Sequence, residues 1–193
     1  MVTVRRATGE DIGRLTRTAT KAFSDDPLLR WFFPAEAEYA EFVPQMIAYL
    51  CRRWQATESQ WCTDDGVALA GWVPPGRPEV DVPRPSIVHS EERLAKFEAL
   101  NAARIEHTPT EPHWYLNMLA THPDWQRQGL GALLMGAVFA IADEHGVPCF
   151  LETESAENVA YYRRHQYEVR SEWDLAIDGD AGPHMWGMLR RPR

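Results

Sequence analysis

The feature that most restricts the fold is an unbroken strand–turn–helix–strand run in the second half of the chain. "HWYLNMLATHP" reads as a strand, "QRQGLGALLMGAVFAIADEHG" as a helix and "PCFLETE" as a strand. The helix sets Leu130, Leu133, Leu134, Val138 and Ile141 on one stripe, stops at Gly146 and is followed by Pro148. Such alternation belongs to chains that lay helices on a sheet, so the class is α/β or α+β around a mixed sheet.

The flanking segments extend this pattern. "VTVRR" alternates as a short strand, and Thr8 with Asp11 has capping-box spacing. A helix follows from Ile12 through Leu15, Ala19, Ala22 and Phe23, and "DDPLLRWFFP" breaks it at Pro27. A second helix is predicted from Glu36 to Gln55, where Pro44 implies a kink or a late start. "SQWCTD" and "VALAGWVP" form a hairpin through Asp64, Asp65 and Gly66. Five prolines between 74 and 85 leave a long surface loop, and a helix runs from Ser90 to His107. After the central run come a short helix, "AENVAYYRRH", and a closing hairpin of "YEVRSEWDLAI" and "PHMWGMLRR" around "DGDAG". The order is β-α-α-β-β-α-β-α-β-α-β-β, with residues 1–193 as a single domain.

Composition narrows the function. There are 20 basic and 28 acidic residues, a net charge of −8, which disfavours a nucleic-acid partner and suits a cationic one. No apolar run has the length of about 18 residues that a membrane span needs. The first residues lack the apolar core of a signal peptide, so a cytoplasmic protein, monomer or homodimer, is expected. Cys51, Cys62 and Cys149 are odd in number and widely spaced, which fits neither a disulfide framework nor a zinc site, and the histidines have no ligand spacing.

Gln126, Arg127, Gln128, Gly129, Leu130, Gly131 and Ala132 lie where a strand turns into a helix. A helix start has unpaired N–H groups and partial positive charge, and glycine lets a ligand approach them, so a diphosphate suits this turn. A Walker loop would need a lysine after the second glycine, and none is there. A dinucleotide fingerprint would need a third small residue where Leu134 stands, although Glu152 lies near the place of a ribose-binding acid.

"QRQGLGA", between strand and helix, resembles motif A of the GNAT superfamily of N-acetyltransferases. The element order resembles that family over nearly the whole chain. "EPHWYLNMLATHPDWQRQGLGALL", "GVPCFLET" and "WGMLRRP" are similar to its antibiotic-acetylating branch, typified by enzymes acting on puromycin. The resemblance implies a mostly antiparallel central sheet of about six or seven strands flanked by helices. It implies acetyl-CoA as cofactor, its pyrophosphate on residues 126–132, and direct transfer of acetyl to an amine. It also implies that Met118, Leu119 and Ala120 offer main-chain hydrogen bonds to the pantetheine arm.

Within "ENVAYYRRHQYEV", Tyr162 matches the family's tyrosine acid, while Asn158 and Tyr161 fall beside the cofactor. Gln166 stands where the family usually has glycine, and Tyr161 and Tyr162 also suit a core. For the base, a carboxylate at the end of "CFLETE" is expected, with Glu152 chosen and Glu154 its rival, because both face one side of a strand. An acceptor site is expected from Asp25, Asp26, Trp31 and Phe32, joined by Trp114. There carboxylates would hold a cation and aromatics its body, although Asp26 before Pro27 also reads as an N-cap. The function expected is acetylation of a small amine, an antibiotic or xenobiotic among the candidates. The alternatives are acetylation of a protein or peptide, and a silent acyl-CoA-binding module.

Overall fold

The computed structural model describes residues 2–87, 89–177 and 179–193. Its first half runs β1 (Val4–Arg6), α1 (Ile12–Ala22), α2 (Pro27–Phe32), α3 (Glu36–Ala56), β2 (Gln60–Thr63), β3 (Ala68–Val73) and α4 (Glu91–His107). The second half runs β4 (Trp114–Thr121), α5 (Leu130–Glu144), β5 (Cys149–Thr153), α6 (Ala156–Arg164), β6 (Glu168–Ile177) and β7 (Asp180–Arg190). The strands make one sheet in the order β1-β2-β3-β4-β5-β7-β6. Neighbours pair antiparallel throughout except β4 and β5, which are parallel.

Local chemistry explains the starts and stops. Asp11 accepts hydrogen bonds from the Thr8 N–H at 2.8 Å and the Thr8 hydroxyl at 3.1 Å, fixing the entry to α1. Ser90 accepts from the Arg93 N–H at the start of α4. Gly66 turns the β2–β3 hairpin at φ 68°, in the left-handed region that glycine enters without strain.

Three expectations change. Pro27 does not merely end a helix; it opens the extra helix α2, because its missing N–H and fixed φ suit a first helical position. Asp26 caps α2 by accepting from the Leu29 N–H at 2.8 Å, so three helices rather than two separate β1 from β2. α5 begins at Leu130 rather than Gln126, since left-handed turns at Arg127 (φ 61°) and Gly129 (φ 80°) keep the preceding residues out of it. Finally, most of "DGDAG" lies inside β7, with Asp178 outside the described residues. α3 does run from Glu36 through Pro44, so no late start occurs.

Two buried clusters fill the faces of the sheet. α1 to α4 pack with Cys62, Leu69, Met118 and Met185, whereas α5 and α6 pack with Ala68, Ala70, Trp72, Leu151 and Met188. On β3 the clusters alternate residue by residue, as side chains of a strand must. β4 breaks that alternation. Leu116 belongs to the α5 cluster and Met118 to the other, although two residues apart should face one way. The cause is a bulge: Gly71 pairs with Met118 but Trp72 with Leu116, leaving Asn117 as the extra residue.

Candidate active site

The sheet opens where its one parallel pair ends. Trp114, Tyr115 and Leu116 of β4 pair with Cys149, Phe150 and Leu151 of β5, and no pairing follows. β4 nevertheless continues to Thr121 and β5 to Thr153, so the strands diverge. From Asn117 onward the β5-facing edge of β4 has no strand partner, and its main-chain groups are open to a ligand. Met118 and Leu119 line this opening, while Ala120 is buried in the α1–α4 cluster.

At the mouth stands the first turn of α5. It has no side-chain cap and no acidic residue, so its orphan N–H groups and partial positive charge are unopposed. Residues 126–129 are exposed, and nothing lies within 4 Å of where a Gly129 side chain would project. A Cβ on Gly131 would stand 2.6 Å from the Tyr161 hydroxyl, so glycine lets Tyr161 reach the helix start. Gln126 bonds the Thr121 carbonyl at 3.3 Å and ties this turn back to β4.

Behind the mouth lies a cavity of about 310 Å³ that draws on both faces of the sheet. Tyr162 enters it from the α5–α6 side and Asp26, Phe32, Arg104, Glu152 and Glu154 from the other. Asn158 joins them, its side chain donating to the Thr153 hydroxyl at 3.3 Å. Tyr162 is 9% exposed, and burial foremost raises its pKa, keeping the phenol protonated.

The two carboxylates on the β5 end differ sharply. Glu152 Oε2 accepts from Arg104 Nε at 2.8 Å and from the Tyr115 hydroxyl at 3.0 Å. Glu154 instead faces Asp26, the carboxyl groups within hydrogen-bonding reach of each other. Burial, then the Asp26 charge, pushes Glu154 up to about 8. Burial also raises Asp26. Two buried carboxyls facing one another hold a proton that neither would keep in water.

The remaining acceptor candidates do not all converge. Asp26 and Phe32 reach the cavity, and Phe32 stacks on Phe97 at 4.4 Å. Asp25 is exposed and accepts from the Ser24 hydroxyl at 3.3 Å. Trp31 is buried with its indole N–H on Asp180 at 3.0 Å, away from the cavity. Trp114 packs edge-on against Trp61 and Trp72 in the α5 cluster, on the opposite face. Arg104 and Tyr115 emerge only in three dimensions; an arginine in α4 and a tyrosine in a strand carry no motif.

Fold and site together fit the class of acyl-transferring enzymes. The acetyltransferase (GNAT) family profile matches residues 26–167, and the chain belongs to that family. Solved structures share the fold. A protein from Corynebacterium glutamicum, described as a histone acetyltransferase and related acetyltransferase, is 20% identical, with a TM-score of 0.70 over 100% of this chain and 97% of that one. Arylalkylamine N-acetyltransferase 2 from Aedes aegypti is 10% identical, with a TM-score of 0.70 over 100% and 99%. Polyamine N-acetyltransferase from Drosophila melanogaster, which forms N-acetylagmatine, is 13% identical, with a TM-score of 0.68 over 99% and 100%.

The enzyme is therefore an acyltransferase and its cofactor is acetyl-CoA. The residues present fit that cofactor: bare N–H groups at the start of α5, an unencumbered Gly129, and an open β4 edge leading inward.

Proposed function

We propose that this enzyme acetylates the primary amine of a small molecule by direct transfer, with Glu154 as general base and Tyr162 as proton donor. The observation that carries the reading is the Asp26–Glu154 pair, buried in the same cavity as Tyr162. Acetyl-CoA, when bound, supplies the acetyl group as a thioester. Residues 126–132 hold its diphosphate and the β4 edge its arm, which directs the reacting end toward Glu152, Glu154 and Tyr162.

An amine arrives as an ammonium and must lose a proton before it can attack. Glu154 is suited to take it, because its pKa of about 8 lies near the operating pH, where general bases work best. Asp26 sustains that value, and Tyr162 Oη holds a proton for the departing sulfur. Glu152, anchored by Arg104 and Tyr115, acts as a fixed negative charge that orients the amine.

Three free, buried cysteines support the reading of a cytoplasmic enzyme. Resemblance to antibiotic acetyltransferases makes antibiotic and xenobiotic amines the first acceptors to screen. A protein substrate is a poorer fit, since about 310 Å³ is at the lower end of small-molecule pockets.

The test is release of free CoA from acetyl-CoA with amine antibiotics, arylalkylamines, polyamines and peptides. Release with small amines and little with peptides is expected. Binding of acetyl-CoA with no release for any amine would leave a binding module instead.

A further inference from the structure

The charge and shape of the cavity point to a narrower acceptor class. We propose that the acceptor carries a single cationic nitrogen on an apolar body, the ammonium seated between the unpartnered oxygen of Glu152 and the Asp26–Glu154 pair. This inference rests on the amine-transfer reading for where the acceptor lies, but not on how the acetyl group moves.

The first observation is Glu152 Oε1. The Glu152 side chain is only 4% exposed and lines the cavity, its Oε2 takes both Arg104 and Tyr115, and its Oε1 is buried with no partner. A buried carboxylate oxygen without a donor is costly, and a ligand N–H that supplies the donor recovers the loss. Glu154 lines the same cavity two residues further along the same strand end, so its carboxyl and the free oxygen of Glu152 face one space.

The second observation is the balance of charge. Among the described residues, the charged groups lining the cavity are Asp26, Glu152, Glu154 and Arg104. The guanidinium offsets one carboxylate, and the proton shared between Asp26 and Glu154 offsets a second. One negative charge is left over, which matches one ammonium.

The third observation is the rest of the lining. α2, α3 and α4 contribute Leu28, Leu29, Phe32, Leu50 and Phe97, and no acid among the described residues. A second ammonium at the far end of a diamine would be buried against this lining with no counter-charge, a heavy desolvation cost. An aryl or alkyl group there removes apolar surface from water instead.

The test compares hexylamine with 1,6-diaminohexane, equal in length and differing by one charge, on the wild-type protein saturated with CoA. Isothermal titration is expected to show hexylamine bound at least about tenfold more tightly. Diamine binding equal or tighter, or no binding by either, overturns the inference. CoA release from acetyl-CoA is measured with the same two amines. Discrimination in binding without release removes the transfer reading and leaves the acceptor class standing; release without discrimination does the reverse. Glu152→Gln, by neutralising the anchored acid, is expected to raise the hexylamine KM about tenfold or more while changing kcat less. A fall in kcat with KM unchanged would count against seating at Glu152.

Discussion

Replacing Glu154 with glutamine keeps the side chain's size and its contact with Asp26 but removes its ability to accept a proton. Because Glu154 is pushed up to about 8, it must lose its own proton before it can take one from the amine. At pH 7 about a tenth of the molecules have it ionised, by the ordinary titration relation. The wild-type kcat/KM should therefore climb about tenfold per pH unit below pH 8 and level off above it. Removing a general base costs about 10²–10⁴ in rate, or ~2.7–5.4 kcal/mol of barrier. That loss appears in full up to about pH 8. Below it both enzymes slow about tenfold per pH unit, the wild type as Glu154 is protonated and the variant as the amine is, so the ratio holds there and narrows above pH 8. In the variant, the remaining rate depends on amine arriving already deprotonated, so it should rise smoothly toward the amine's own pKa. Initial rates of CoA release across this range measure both effects, and unchanged acetyl-CoA affinity shows that the fold survives. A break near pH 8 that persists in Glu154→Gln would refute the assignment. So would a loss below about tenfold at pH 7–8.

The other predictions concern Tyr162, Gly131 and Gln166. Tyr162→Phe should lower kcat about a hundredfold, with acetyl-CoA affinity nearly unchanged, and normal CoA release would rule out its role as acid. Gly131→Ala places a methyl 2.6 Å from the Tyr161 hydroxyl, so titration should show acetyl-CoA binding weakened by ~1–3 kcal/mol. Adding Tyr161→Phe should recover much of that loss, and no recovery would locate the damage elsewhere. Gln166 sits at φ 69°, where glycine is unstrained, so Gln166→Gly should stabilise the protein by about 1 kcal/mol. Thermal denaturation should then rise by about 2–4 °C, and a fall would show that its side chain matters more than its backbone.

Much of the fold is legible because its signals are local. The stripe on α5, the stop at Gly146 and the Asp-Gly hairpin each depend on a few neighbouring residues. α2 was obscured because proline is read as a breaker, whereas after a capping aspartate it starts a helix. Gln166 departs from the family pattern, yet its backbone adopts the conformation that glycine would, and Tyr167 N–H still bonds the Tyr162 carbonyl at 3.2 Å. The chemistry was less legible because it depends on pairs far apart in the chain. Strand periodicity puts Glu152 and Glu154 on one side but cannot say which meets Arg104 and which meets Asp26. Trp31 illustrates the converse. It adjoins Phe32 in sequence, but adjacent residues on a helix point in different directions, and only Phe32 reaches the cavity.

The bulge at Asn117 makes β4 a strand with two reading frames. Residues before it address one core and residues after it the other, and the change of frame falls where the sheet parts. Substituting a side chain here alters one contact. Deleting a single residue would close the frame and turn either Trp114 and Leu116, or Met118 and Ala120, toward the wrong core. β4 should therefore tolerate changes of spelling far better than changes of length, and the opening between β4 and β5 is bound to that count.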